Sequence, residues 1–199
     1  EWKLSAFAAG GVDLGGRFGG ARGAVVSSCQ DCHMPTTSGR GCSFARERAD
    51  LAVHDFAGAA VPSLDLIAAY TTGDPAVDQD AIVAGRARAL SMLERAASVA
   101  LAIDGDEVVA RVTNHSGHKL PTGYPEGRRM WLNLKWFDAG NGLVREDGAY
   151  GIIGRSVQDN AGVPHQVQSL LDLHDTVVYE AKPGLDQQWA SQLLALGYS

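Results

Sequence analysis

The sequence predicts an α+β protein, in which an irregular segment with a helix precedes a small antiparallel β-sandwich-like module and a final helix. Three observations predict this class. Glycine is concentrated in the first 28 residues, an apolar stripe with helical spacing follows residue 74, and apolar residues alternate with polar ones from about residue 98. We therefore expect two modules, an irregular one over 1–75, consisting mostly of loops, and a helix with the sandwich-like module over 76–199.

Composition limits the classes of partner. With 199 residues, 45% of them apolar, the chain is long enough to bury a core. Its formal charge of -6 and its scattered basic residues disfavour nucleic acid and anionic membrane surfaces as partners. No apolar run approaches the roughly 18 residues of a membrane span, so we expect no such span in this chain.

The first half of the chain is predicted to be mostly irregular. Residues 1–28 have few apolar anchors and cannot form a core alone, so we expect them to wrap around a prosthetic group or a partner. Residues 29–33 are predicted to form a single helical turn, and residues 34–60 to form a loop. A helix is then expected to begin with Asp74 as its N-cap and Pro75 at its first position. Its predicted core stripe consists of Ile82, Ala89, Leu93, Ala97 and Ala100.

The second half carries the strand signals. Apolar residues alternate around an Asp104-Gly105 turn and again over 130–137, which predicts antiparallel strands. A short strand is expected over 176–180, and a helix over about 185–196. This succession of strands and turns favours the sandwich-like module.

The most informative motif is Cys-Gln-Asp-Cys-His at residues 29–33. Two cysteines three residues apart, followed directly by a histidine, are typical of c-type haem attachment. Each thiol forms a thioether with one haem vinyl group, and the histidine becomes an axial ligand of the iron. We therefore expect covalent haem c on Cys29 and Cys32, with His33 as the fifth ligand, and the 1–75 module to be the haem-binding one.

Other chemistries can use the same two thiols. A structural zinc site needs four ligands, and only one further cysteine, Cys42, is present. A thioredoxin-type dithiol lies in a βαβ unit, and no such pattern surrounds Cys29. Zinc, a dithiol and chance remain weaker alternatives to haem. If haem takes both motif thiols, Cys42 is left without a partner in this chain, and a small buried thiol is the favoured interpretation.

The sixth iron ligand decides the chemistry of a haem. Met34 is adjacent to His33 and cannot reach the opposite face, and Met92 and Met130 have the pattern of core residues. Histidine is therefore the better candidate. His54, in a loop 21 residues after His33, and His118, in a Gly- and Pro-shaped loop, are the two candidates for this metal position.

The remaining histidines have weaker support. His115 is interpreted as a turn residue rather than a ligand, and His165 and His174 have no supporting context. Arg128 and Arg129 are candidates for binding a haem propionate, because a guanidinium matches a carboxylate bidentately. Neighbouring strand residues point to opposite faces, so at most one of the two faces a given haem. A solvated charge at a strand edge is the equal alternative.

The motifs together resemble bacterial multihaem c-type cytochromes. The resemblance is carried by CQDCHMP at 29–35, HDFAGA at 54–59 and NHSGHKLPTGYPEGRRMWL at 114–132, and it covers roughly residues 25–140. It implies that a distant histidine, His54 or His118, completes bis-histidine ligation, sometimes of a neighbouring haem. Members of this family carry several attachment motifs and this chain carries one, so the resemblance implies a fragment or one subunit of a larger complex.

The expected function is electron transfer by a bis-histidine haem, with another haem-bearing chain or segment and redox proteins as partners. The expected location is periplasmic or extracellular, because bacteria attach c-type haem outside the cytoplasm; a removed leader or a longer chain would account for the absence of a signal peptide. Two alternatives remain open. The chain could belong to a multihaem oxidoreductase, for instance a nitrogen-oxyanion reductase, or it could be an interaction subunit that its haem only staples together.

Overall fold

The structure, a computed structural model, describes residues 2–18, 23–120, 128–158, 161–172, 175–181 and 187–197. The chain divides into two compact units, residues 1–120 and 121–199, which are described separately here. Helices and small antiparallel sheets occur together, which confirms the α+β class. The division predicted after residue 75 falls inside the first unit, between two helices that pack on each other.

The first unit begins with a 3₁₀ turn over Trp2–Leu4 and contains four α-helices and three hairpin-like strand pairs in its described part. The helices are α1 (Ala6–Gly10), α2 (Cys29–His33), α3 (Val61–Tyr70) and α4 (Gln79–Ala96). The strands are β1 (Val12–Asp13), β2 (Val25–Val26), β3 (Thr36–Gly39), β4 (Arg48–Ala52), β5 (Ala97–Asp104) and β6 (Glu107–Asn114). They pair as β1–β2, β3–β4 and β5–β6, all antiparallel.

The main core lies in the part of the chain predicted to be unable to form one alone. Phe7, Phe18 and Val26 are buried together with Cys32 of α2 and Met92 of α4. The glycine-rich segment thus supplies two aromatic anchors, and the helices supply the surface on which they pack. This burial of apolar surface stabilises the otherwise irregular segment.

The predicted loop over 34–60 is partly wrong, because β3 and β4 pair within it. Their antiparallel pairing returns the chain to the residues at the end of α2. Val53 N donates to Pro35 O at 2.8 Å, and Phe56 N donates to His33 O at 3.0 Å. The loop after β4 is therefore held against the residues that follow the cysteine motif.

The start of the long helix was predicted four residues too early. Asp78 is the N-cap of α4, and its Oδ1 accepts a hydrogen bond from Ala81 N at 3.0 Å. Asp74 instead closes a turn, by accepting from Ala76 N at 2.9 Å. The predicted stripe is also rotated. Ala89 is buried as expected, but Met92 is the other buried residue of α4, and Leu93 is 43% exposed.

The helix α3 was not predicted. It begins at Val61 with Pro62 in its first turn, where a missing N–H costs nothing. It packs on α4, and Arg86 donates to Asp65 at 2.6 Å between the two helices.

The hairpin β5–β6 has the turn predicted at Asp104-Gly105, displaced by one residue. Asp104 pairs with Glu107, and Gly105 adopts the positive φ of +60° that such a tight turn needs. The residues that share its apolar face are exposed, apart from the half-buried Ala110; they are Val99, Leu101, Ile103, Val108, Ala110 and Val112.

The second unit consists of paired strands and one helix in its described part. The strands are β7 (Arg129–Met130), β8 (Leu134–Phe137), β9 (Leu143–Asp147), β10 (Tyr150–Gln158), β11 (Pro164–Leu170) and β12 (Tyr179–Glu180), and the helix is α5 (Gln187–Ala195). They pair as β7–β12, β8–β9 and β10–β11, each antiparallel. Each described sheet thus has two strands, fewer than the sheets of the predicted sandwich-like module would have. The β10–β11 pair was not predicted, whereas α5 confirms the final helix.

None of the helices within the described ranges is long and apolar enough to cross a membrane.

Candidate functional site

The cysteine motif forms a helical turn with a fixed start. Asp31 in the third position accepts hydrogen bonds from Ser27 N and Ser28 N, both at 2.9 Å, which satisfies backbone donors at the start of α2. The turn predicted over 29–33 is thereby confirmed. It exposes the thiol of Cys29 and buries that of Cys32 in the core.

The buried thiol is unsuited to redox catalysis in the free chain. The pKa of Cys32 is raised to about 11, chiefly by burial and then by the negative charge of Asp31, with Arg95 partly opposing both. The attacking thiol of a dithiol oxidoreductase needs a depressed pKa. Cys32 is therefore unsuited to that role, and a dithiol function would have to use the exposed Cys29 as the attacking thiol.

A zinc site also finds no support among the described residues. They contain no group of three or more His, Cys, Asp and Glu side chains arranged to hold a metal ion. Cys42 lies exposed between β3 and β4, so the expectation that its thiol is buried is wrong. A c-type haem does not need such a group, because the porphyrin supplies four of the six ligands of its iron.

His33 is held with one ring nitrogen occupied and the other free. Its Nδ1 lies 2.9 Å from the carbonyl oxygen of Ala57, so Nδ1 carries the proton and donates. This leaves the lone pair of Nε2 available. A metal-binding histidine is usually oriented in this way, with its other nitrogen donating to a carbonyl.

His118 lies in a loop that its own polar side chains hold in place. Asn114 Oδ1 accepts from the backbone N and the hydroxyl of Ser116, and Asn114 Nδ2 donates to His118 O at 2.7 Å. The Ser116 hydroxyl also lies 3.2 Å from His118 Nδ1. The loop therefore orients the imidazole, while residues 121–127, predicted as part of the same loop, lie outside the described residues.

The structure places the rings of His33 and His118 beside each other. Their centroids are 6.4 Å apart, and their planes are inclined by 22°. Because a metal–imidazole bond is about 2 Å long, two imidazoles on opposite sides of one metal have centroids roughly 6 to 6.5 Å apart. Neither Nε2 is hydrogen-bonded to any residue that the structure describes. The centroid distance of the pair therefore matches that of two imidazoles that bind one metal.

A cavity of about 360 Å³ opens beside the cysteine motif. Its size suits a small organic ligand or part of a larger one. Its walls combine the motif and the following loop with one face of α4. They are formed by Cys32, His33, Pro35, Asp55, Ala57, Ala87, Arg88, Ser91, Met92 and Arg95.

Two arginines and one aspartate line this cavity. Arg88 pairs with Asp55 at 3.4 Å, and Arg95 donates to Phe18 O at 2.8 Å while its guanidinium lies over the Phe18 ring. Sequence reasoning missed both. Their spacing of seven residues, with Met92 between them, is the signal that would have placed them on one face of the helix.

His54 lies elsewhere on the loop after β4. Its exposed ring is 5.9 Å from that of Phe56, which is itself exposed and has a φ of +44°. The ring beside His33 is that of His118. His54 therefore stays a predicted ligand without a described partner for that role.

His115 forms a structural contact. Its Nε2 lies 2.7 Å from the hydroxyl of Ser98 on the neighbouring strand, and its backbone N donates to Ala96 O. Burial, together with the charge of Arg17, lowers the pKa of His115 below its ordinary value. Because Nε2 of His115 is already hydrogen-bonded, the structure agrees with the interpretation of His115 as a turn residue rather than a ligand.

The predicted propionate ligands belong to the second unit. Arg129 donates to Glu180 Oε2 at 3.1 Å, across the β7–β12 pair, and Arg128 also has an interaction partner. A role for Arg128 or Arg129 toward haem stays a prediction. His165 lies on β11 opposite Val157, and His174 is outside the described residues.

The chain was compared with protein-family models, with curated proteins and with solved structures, and none of them matched. The resemblance to multihaem c-type cytochromes therefore rests on the motifs alone.

Proposed function

We propose that this chain is a c-type cytochrome module that transfers electrons. Haem c would be attached to Cys29 and Cys32, and His33 and His118 would be the axial ligands of its iron. When bound, the haem supplies an iron that cycles between Fe(III) and Fe(II) without making or breaking substrate bonds.

One observation carries this proposal. The histidine that directly follows the cysteine motif faces a second histidine, with ring centroids 6.4 Å apart. Among the described residues, both rings have Nδ1 in a hydrogen bond and Nε2 without a partner. A histidine that binds a metal through Nε2 is usually oriented through Nδ1 in this way.

The residues around the motif also suit a porphyrin. The cavity, which His33 lines and His118 does not, offers Cys32, Pro35, Ala57 and Met92 as apolar surface. It also offers the cations of Arg95 and of Arg88, which pairs with Asp55. Propionate carboxylates pair favourably with guanidinium groups in such partly enclosed sites. Arg88 and Arg95 are therefore the propionate partners that the first unit favours.

The histidine pair favours electron transfer over catalysis. A haem enzyme needs an open position on its iron, and the proposed ligation by His118 fills that position. Bis-histidine ligation keeps the iron low-spin in both redox states, so little reorganises when an electron moves. No observation comparable to the pairing of His33 with His118 supports the oxidoreductase alternative.

We also propose where in the cell the chain lies and which kind of partner it has. Bacterial c-type haem is attached outside the cytoplasm, so we place the chain in the periplasm or outside the cell. With His118 assigned to the haem of Cys29 and Cys32, the exposed His54 is the spare histidine. A haem carried by another chain or segment is the partner that could use it.

The test is covalent haem content, measured by a pyridine haemochrome assay and by intact mass. The full chain, expressed with a c-type haem maturation system, should carry haem. Cys29→Ala and Cys32→Ala should each lose one thioether, and the double variant should carry no covalent haem. Cys42→Ala is the matched control and should keep full haem content. A colourless wild-type chain with the mass of its amino acids alone would reject the proposal.

A further inference from the structure

The segment that precedes the cysteine motif touches the loop that carries His118. Gly117 is buried, and a Cβ added there would overlap the six-membered ring of Trp2. Only glycine allows the indole to lie directly on the loop backbone at this point. Trp2 and His118 are thus connected through a single residue.

Trp2 is itself fixed at both its backbone and its ring. Its carbonyl oxygen accepts from Ser5 N at 2.9 Å and from the Ser5 hydroxyl at 2.7 Å. Its ring lies 5.7 Å from that of Phe7, a buried member of the core that also holds Cys32. The indole therefore links the core around the cysteine motif to the loop of the second histidine.

We infer that Trp2 is a positioning residue that holds His118 at ligating distance from His33. This inference rests on the proposed function. The hydrogen bonds of Asn114 and Ser116 fix the shape of the loop, but all their partners lie within the loop itself. His115 ties the start of the loop to Ala96 and Ser98, and the contact between Trp2 and Gly117 ties its next turn to the segment that packs around the cysteine motif. The indole thus supports the part of the loop that directly precedes His118.

The inference assigns a specific consequence to loss of the indole. Without it the loop keeps its internal hydrogen bonds and the contacts of His115 but loses the support at Gly117, so His118 can move away from the iron. The proportion of iron ligated by His118 should fall, by roughly tenfold or more if the lost packing resembles other truncations of a partly buried aromatic residue. The iron would then gain an open position.

The experiment compares purified holoproteins by their ferric absorption spectra, their reduction potentials and their rates of cyanide binding. Trp2→Ala should show a high-spin fraction, a shifted potential and faster cyanide binding, while its haem content stays at the wild-type level. Trp2→Phe keeps an aromatic ring against Gly117 and should restore most of the low-spin signal. Trp189→Ala, which removes an exposed indole of α5, is the matched control and should match wild type.

Gly117→Ala tests the contact from its other side. The added methyl should displace the loop when the indole is present and produce the same high-spin signal. In the Trp2→Ala background the same substitution should add little, because the group that it collides with is gone. Fully additive effects would show that the two residues do not act through one contact.

The outcomes separate this inference from the proposed function. A wild-type chain without covalent haem overturns both. A low-spin wild-type holoprotein, together with Trp2→Ala and Gly117→Ala variants that keep its spectrum and potential, overturns the inference alone. If Trp2→Ala fails to fold, Gly117→Ala decides: a high-spin fraction supports the positioning role, and an unchanged low-spin spectrum rejects it.

Discussion

The histidine pair of the first unit and the two tryptophans near β8 of the second unit differ in how their ring nitrogens are hydrogen-bonded. In the second unit, Trp131 Nε1 donates to Gly148 O at 2.9 Å, and Trp136 Nε1 donates to Asp147 at 2.7 Å. In the first unit, Nδ1 of each imidazole is hydrogen-bonded, and Nε2 has no partner in the part of the chain that the structure describes. Satisfied networks of the first kind stabilise a fold, whereas a prearranged free lone pair is what a ligand site requires.

The largest effect should come from His118, because it is proposed to bind the iron. His118→Met should raise the reduction potential by roughly 100 mV or more and change the visible spectrum, since thioether ligation favours the reduced iron. His54→Met is the matched control, and we expect its spectrum and potential to equal those of wild type. Should the effects of the two variants be reversed, His54 would be the ligand and His118 the spare histidine.

Two asparagines, one in each unit, allow the two regions to be compared through effects of intermediate size. Asn114→Ala removes the amide that shapes the His118 loop, and we expect ligation by His118 to weaken by about 10- to 100-fold, as other outer partners of ligating histidines do. Added imidazole or cyanide should then compete more readily in a spectroscopic titration.

The counterpart is Asn133 in the second unit, whose Nδ2 donates to Glu146 and to two backbone carbonyls. Asn133→Ala should lower the free energy of unfolding by about 1 kcal/mol in a denaturant titration. The haem spectrum should not change. A spectral change in this variant, or none in Asn114→Ala, would contradict the contrast between the two regions.

The smallest effect concerns Asp147 and acid. Its pKa lies below the ordinary value of 3.8, chiefly because Arg145 and then Trp136 hydrogen-bond to the carboxylate. A carboxyl whose pKa is depressed in the folded state contributes stability above its unfolded pKa and loses that contribution as pH falls through the folded pKa.

Asp147→Asn should therefore destabilise the chain slightly near neutral pH, and its melting temperature should fall less steeply than that of wild type below about pH 4. Thermal melts between pH 2 and pH 7 measure the difference. Parallel slopes for the two proteins would show that this network does not carry acid-linked stability.

Local signals in the sequence allowed several elements to be predicted. The capped turn over 29–33, the Asp104-Gly105 turn and the final helix each depend on neighbouring residues, and all three were confirmed, the second within one residue. The helix start failed because Asp74 and Asp78 are both competent caps and Pro75 favours the earlier one. Only the bond from Ala81 N shows which aspartate is used.

The missed features depend on contacts between distant residues. Helix α3 carries a weakly amphipathic pattern and is identified by its packing on α4. Arg88 and Arg95 can be recognised as cavity residues only when α4 is placed against the cysteine motif. For the same reason, the choice between His54 and His118 could not be made from the sequence. The loop spacing favoured His54 over His118, and it is the fold that places His118 beside His33.

The most direct test of the central claim is near-infrared magnetic circular dichroism of the ferric holoprotein, which identifies the two axial ligands of a low-spin haem. We expect the charge-transfer band of bis-histidine ligation in wild type and its loss in His118→Met. A high-spin spectrum, a histidine–methionine band in wild type, or a bis-histidine band that survives in His118→Met would contradict it.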